Sequence, residues 1–92
     1  MEKSSVVKQQ VVVTNETGLH ARPASLFVET AGKYEADIKV IKDSQKANAK
    51  SIMGLMSLGI NQSTEITIQA EGADAEQAVE ALVGLVEDKF GE

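Results

Sequence analysis

Glu65-Ile66-Thr67-Ile68-Gln69-Ala70 alternates polar and apolar side chains without a break. Successive side chains of a strand point to opposite faces, so this period of two predicts a strand with one face buried and one solvated. Ala36, Ile38 and Val40 alternate with Asp37 and Lys39 in the same way and predict a second half-buried strand. Asp43-Ser44 turns that strand into a shorter one through Ala47 and Ala49. From Val6 to Thr14 the chain is rich in valine and reads as a further strand, although Lys8-Gln9-Gln10 blurs its register.

Between these strands the period changes. Ala24, Phe27, Val28 and Ala31 fall at i, i+3, i+4 and i+7, one face of a helix. Pro23 lies in the first turn of that helix, where a missing amide proton is harmless, and Gly32 is a C-terminal stop. Ser51 opens a short helix that ends near Gly59. Asp74-Ala75-Glu76-Gln77 has the form of a capping box, and Ala75, Ala78, Val79, Leu82 and Val86 form the longest amphipathic stripe. Strands and helices thus follow one another as β-α-β-β-α-β-α. Half-buried strands in that order favour one antiparallel sheet with helices on one face.

Composition narrows the functional classes. Ninety-two residues make one small domain, with residues 1–5 expected as a frayed extension. No linker, repeat or low-complexity run interrupts it. The hydrophobic fraction of 42% argues against disorder. A net charge of −5 speaks against nonspecific nucleic-acid binding and against acidic membrane surfaces, because both rest on neutralising phosphate. The chain has no cysteine, which excludes disulfides and thiolate metal sites and permits a reducing cytoplasm. No signal peptide and no apolar run long enough to span a bilayer are visible. One histidine, no cysteine and no glycine-rich nucleotide loop leave a stand-alone enzyme without a candidate pocket.

That histidine lies in Gly18-Leu19-His20-Ala21-Arg22-Pro23-Ala24, where a polar turn gives way to a helix. A neutral imidazole is the one side chain here that is a good nucleophile at neutral pH without an activating base. After transfer, the positive end of the helix dipole favours the added negative charge. Backbone amides at a helix entrance, here those of Ala21 and Arg22, are suited to a phosphoryl group, and Arg22 in the same turn can reach its oxygens. The bland readings are a surface histidine that caps the helix and a solvated arginine.

The same run resembles the active-site signature of HPr, the histidine-containing phosphocarrier family of the bacterial phosphoenolpyruvate:sugar phosphotransferase system. A second run, Lys50-Ser51-Ile52-Met53-Gly54-Leu55-Met56-Ser57-Leu58-Gly59, resembles that family's regulatory serine segment. The resemblance extends over everything after about Val6. It implies an α+β open-faced β-sandwich, a four-stranded antiparallel sheet of order 1-4-2-3 with three helices on one face. It implies that His20 is phosphorylated on Nδ1 by enzyme I, donates to IIA proteins of sugar permeases, and is assisted by Arg22. It further implies that Ser51 is phosphorylated from ATP by HPr kinase/phosphorylase, as in Gram-positive bacteria, and that Ile52, Met53 and Met56 form the patch that partners grip. The protein is then a cytoplasmic, monomeric, stoichiometric relay that needs no metal and no cofactor. The alternative is a regulatory module, a phosphoserine-dependent corepressor that binds a catabolite-control transcription factor in carbon catabolite repression. The family's His-lacking regulatory relatives are disfavoured by His20.

Physical readings of the second run stand beside this. Serine is a leading N-cap residue, and an N-cap serine can also be phosphorylated. Ile52, Leu55 and Met56 share one helical face and read as core, whereas Met53 points elsewhere and is expected at the surface. Asp74, Glu76, Glu80, Glu87 and Asp88 read as the solvated face of the last helix.

Overall fold

A computed structural model describes residues 6–91; the expected N-terminal extension at residues 1–5 lies outside the described residues. In chain order the elements are strand β1 (Val6–Val13), helix α1 (Ala21–Ala31), strands β2 (Asp37–Lys42) and β3 (Gln45–Asn48), helix α2 (Ile52–Ser57), strand β4 (Thr64–Glu71) and helix α3 (Ala75–Glu87), followed by a short 3-10 turn at Lys89–Gly91. The four strands form one sheet in the order β1-β4-β2-β3, every pair antiparallel. This is the open-faced α+β architecture that the resemblance implies.

The sheet's two faces follow from the alternation. Val11, Val13, Ile38, Val40, Ala47, Ile66, Ile68 and Ala70 point to the helix side and are buried. Register brings them together across strands: Val11 faces Ile66, Val40 lies between Ile68 and Ala47, and Ile38 faces Ala70. Phe27, Leu55, Leu82 and Val86 from the three helices close the core from above. Within β1 the register that Lys8-Gln9-Gln10 obscures is settled by pairing with β4. Val6 and Val12 fall on the open face and are exposed, and Gln9 shares the inner face with Val11 yet remains exposed. Fully burying one valine or leucine stabilises by about 1.5–3 kcal/mol, so one continuous cluster of such residues is the main support of so small a chain. Among the described residues no helix is long and apolar enough to cross a membrane.

Of two helix ends singled out in the sequence, one falls as expected and one does not. Gly32 does end α1, but at φ −66 it is right-handed, and its amide donates back to Val28. Glycine's special freedom is not used there. Asp74 occupies the N-cap of α3 without forming the capping box, because its side chain makes no bond to its own helix. Its carboxylate instead accepts hydrogen bonds from the amides of Glu35 and Ala36, both at 2.9 Å, across nearly forty residues of sequence. It is thus not simply part of a solvated acidic face. It fastens the chain between α1 and β2 to the start of α3.

Charge-assisted bonds of this kind are worth more than neutral ones, and losing both leaves the half-buried Ala36 amide without its acceptor. Asp74→Ala is expected to destabilise the fold by about 1–3 kcal/mol in urea unfolding, with Asp74→Asn between it and the parent. Unchanged stability in Asp74→Ala would show that water serves those amides equally well.

Candidate functional site

The turn before α1 is built to hold its backbone still. Asn15, only 2% exposed, donates through Nδ2 to the carbonyl of Gly18 at 2.9 Å and to Thr17 Oγ1 at 3.2 Å. The Gly18 amide donates back to the Asn15 carbonyl at 3.2 Å. Gly18 has φ +63, and a Cβ there would collide with the Ile60 carbonyl oxygen and lie 2.8 Å from Asn61 Cα. Glycine is required on both counts. Leu19, buried, then donates its amide to the Ile60 carbonyl at 3.0 Å. The loop between α2 and β4 therefore clasps the loop between β1 and α1.

His20 comes directly after the clasp. It is the N-cap residue of α1, in extended conformation at φ −89 and ψ −165, and its side chain makes no capping hydrogen bond. The ring is exposed and is not consumed by the bland role of a cap. Its carbonyl accepts from the Ala24 amide at 2.7 Å, which starts the helix. Ala21 and Arg22 are the first two helical residues, whose amides have no partner within a helix, and Pro23 has no amide proton to leave unsatisfied. No acidic residue lies in the first turn, so no carboxylate of the helix itself competes for this positive end. Arg22 is exposed, and it forms no salt bridge among the described residues.

The serine segment is held as firmly. Lys50 donates from its amide to Asn48 Oδ1 at 2.9 Å and from Nζ to the Tyr34 carbonyl at 2.7 Å. Ser51 is the N-cap of α2, and its Oγ accepts from the Gly54 amide at 3.1 Å. At the other end of α2, Lys42 Nζ donates to the carbonyls of Leu58 and Gly59 at 3.1 and 3.2 Å, a cation placed on the negative end of the helix. Of the apolar residues on this segment, Leu55 and Leu58 are buried. Ile52 is 40% exposed, Met53 81% and Met56 39%. The expectation that Ile52 and Met56 share Leu55's burial is thus corrected. With only six residues, α2 turns one narrow face to the core, and Leu55 fills it.

The two segments meet. Helices α1 and α2 pack on each other, and a shallow depression is lined by Leu19, His20, Met56, Gly59, Ile60 and Asn61. The imidazole and Met56, one member of the apolar patch, thus line the same depression. The supporting roles of Asn15, Ile60 and Asn61 are not apparent in the sequence. Asn15 carries a weak signal as a turn residue; Ile60 and Asn61 carry none, because their part is a contact across some forty residues. Larger hollows on the open face of the sheet, lined by residues such as Gln10, Ile41 and Thr67, hold no nucleophile of comparable strength.

Comparison with known proteins identifies a family and a shared fold. The family described as the PTS HPr component phosphorylation site matches residues 7–88. The HPr-like protein Crh of Bacillus subtilis is 48% identical over 84 residues, spanning 91% of this chain and 99% of that protein. A crystal structure of HPr-C-His from Thermoanaerobacter tengcongensis superposes with a TM-score of 0.92 at 55% identity, covering 94% of this chain and 97% of that one. A crystal structure of an HPr dimer from the same organism gives 0.77 at 59% identity, covering 87% and 92%.

Gly18→Ala combines a left-handed backbone with a collision against main-chain atoms. It is expected to cost more than about 2 kcal/mol in denaturant unfolding and to shift the amide resonances of residues 18–22. A variant as stable as the parent, with those resonances unmoved, would show that the clasp is dispensable.

Proposed function

The chain belongs to the HPr family of the phosphoenolpyruvate:sugar phosphotransferase system, whose members are phosphocarriers rather than enzymes in the usual sense, and on that premise we propose that it relays a phosphoryl group from phospho-enzyme I to IIA proteins through a phosphohistidine at His20. The observation that carries this reading is an exposed imidazole at the N-cap of α1, unengaged by capping, beside the Ala21 and Arg22 amides and with no acid in that turn. A ring nitrogen, Nδ1 by the family resemblance, attacks phosphorus as the bond from phosphorus to the donor breaks. The acceptor's histidine later repeats the step on phospho-His20. Both steps need positioning and charge stabilisation more than elaborate acid–base machinery. The amides and Arg22 supply the stabilisation, and the rigid Gly18–Leu19 clasp supports the positioning.

Ile52, Met53 and Met56 are proposed as the docking patch. Their exposure, with Met56 in the depression beside His20, suits contacts that are modest in area and short-lived, since each partner must leave after transfer. The transferring species is proposed to be the cytoplasmic monomer, because one chain carries the ring, the arginine and the patch together. The similar HPr crystallised as a dimer makes oligomeric state worth measuring by sedimentation alongside the rates.

Ser51 adds regulation to the relay. Its hydroxyl accepts one hydrogen bond, from Gly54, and keeps its own proton and a second lone pair for attack on ATP held by HPr kinase/phosphorylase. The resulting phosphate, about −1.5 to −2 charges, lies at the edge of the docking patch. There it hinders enzyme I and offers an anionic epitope to a basic regulator such as a catabolite-control transcription factor. The likeness to Crh, the catabolite repression HPr of Bacillus subtilis, supports this second role, which accompanies transfer rather than replacing it.

One set of rates tests the reading. With enzyme I and phosphoenolpyruvate the parent should gain an acid-labile phosphate, and His20→Ala should gain none while remaining folded. Arg22→Ala should be slower by about ten- to a hundredfold, the equivalent of about 1.5–3 kcal/mol for a charge-assisted bond. The Ser51-phosphorylated protein should be slower with an unchanged melting temperature. Phosphate on His20→Ala would overturn the assignment of the nucleophile, and equal rates for the phosphoserine form would remove Ser51 from the account.

A further inference from the structure

We infer that Met53 is a reversible oxidation site through which peroxides weaken the docking face, an inference that rests on the docking role proposed above. The methionines among the described residues are Met53 and Met56, both on α2, and Met56 lines the depression that His20 also lines. They are not equivalent. Met53 is 81% exposed, the most exposed large apolar side chain described, so its sulfur is open to solvent oxidants. Met56, at 39%, is partly covered where it lines the depression beside Leu19 and His20. The chain has no cysteine, so no thiol on it competes for peroxide.

The chemistry balances without help from the protein. A lone pair on the Met53 sulfur attacks one oxygen of a hydroperoxide and the O–O bond breaks. The sulfur is oxidised by two electrons to a sulfoxide, and the peroxide is reduced to water or an alcohol after proton transfer to the departing oxygen. A thiol-dependent sulfoxide reductase reverses the change. The effect on the protein depends on where the oxygen lands. Leu55 and Leu58 are the buried apolar residues of this segment and Met53 is 81% exposed, so a sulfoxide on Met53 leaves the core packing untouched. At the surface it replaces a flexible apolar tip by a polar, chiral one in the middle of a patch that partners must desolvate. Folding survives and docking weakens, which is the requirement for a switch rather than a lesion.

The full chain is treated with hydrogen peroxide, mapped by peptide mass spectrometry, and assayed for phosphorylation by enzyme I, each protein against its own untreated form. Met53 is expected to gain one oxygen before Met56, with the melting temperature unchanged. The treated parent should be slowed by about fivefold, the scale of losing one well-placed interface contact. A sulfoxide reductase should restore the rate. In Met53→Leu the ratio of treated to untreated rates should stay near one. Oxidation of Met56 ahead of Met53, or a treated parent as fast as the untreated one, would overturn the inference. If the untreated parent accepts no phosphate, the relay reading has failed instead, and a map without preferential oxidation at Met53 would then overturn the site as well.

Discussion

The hydrogen bond from the Leu19 amide to the Ile60 carbonyl, closed over a glycine that tolerates no Cβ, is the contact on which the rest of the site depends. It ties the end of β1's loop to the loop that follows α2, and so fixes two segments distant in sequence. On one side of it the chain enters α1 with His20 at the N-cap. On the other, α2 is held with its single core residue inward and its methionines outward. The packing of α1 on α2 and the clasp together hold the start of α1 against the end of α2. Under the proposed docking role, a partner that grips Met56 also meets the ring.

The architecture explains why so small a chain can present such a face. All three helices lie on one side of the sheet, and the core between the two layers is continuous. Because β4 lies between β1 and β2, both loop crossings run above the sheet on the helix side, where they meet. Asp74 closes the far end by holding the amides of Glu35 and Ala36, so that α1, β2 and α3 are fastened at a point remote from His20. Rigidity is thus concentrated in backbone hydrogen bonds and buried apolar side chains, and the side chains proposed for function project from it into solvent.

Much of this is legible in local pattern. Glu65 to Ala70 and Ala36 to Val40 read as half-buried strands because each alternates strictly, and both are. Val6 to Val13 cannot be assigned a face from sequence, since Lys8-Gln9-Gln10 interrupts the valines and only pairing with β4 chooses the register. The strand order comes from resemblance, because period-two patterning says which face is buried and nothing about neighbours. Asp74 reads as a cap for a similar reason: its residue type and spacing fit, but a distant pair of amides competes better for the carboxylate. Ile52 and Met56 read as core from helical phase alone, which does not register that Leu55 is the one residue buried within a six-residue helix. His20, Arg22 and Ser51 stand out because their chemistry is local. Ile60, which positions the first of them, is invisible because its contribution is a long-range carbonyl.

The central claim is that one face, and only that face, engages the phosphoryl donor. Amide chemical shifts of the labelled protein titrated with enzyme I measure this most directly. The account predicts that perturbations cluster at His20, Ala21 and Arg22 and at Ile52, Met53 and Met56, while Lys8, Lys39 and Gln69 on the open face of the sheet stay unmoved. Shifts centred on the open face, with the start of α1 unaffected, would contradict it.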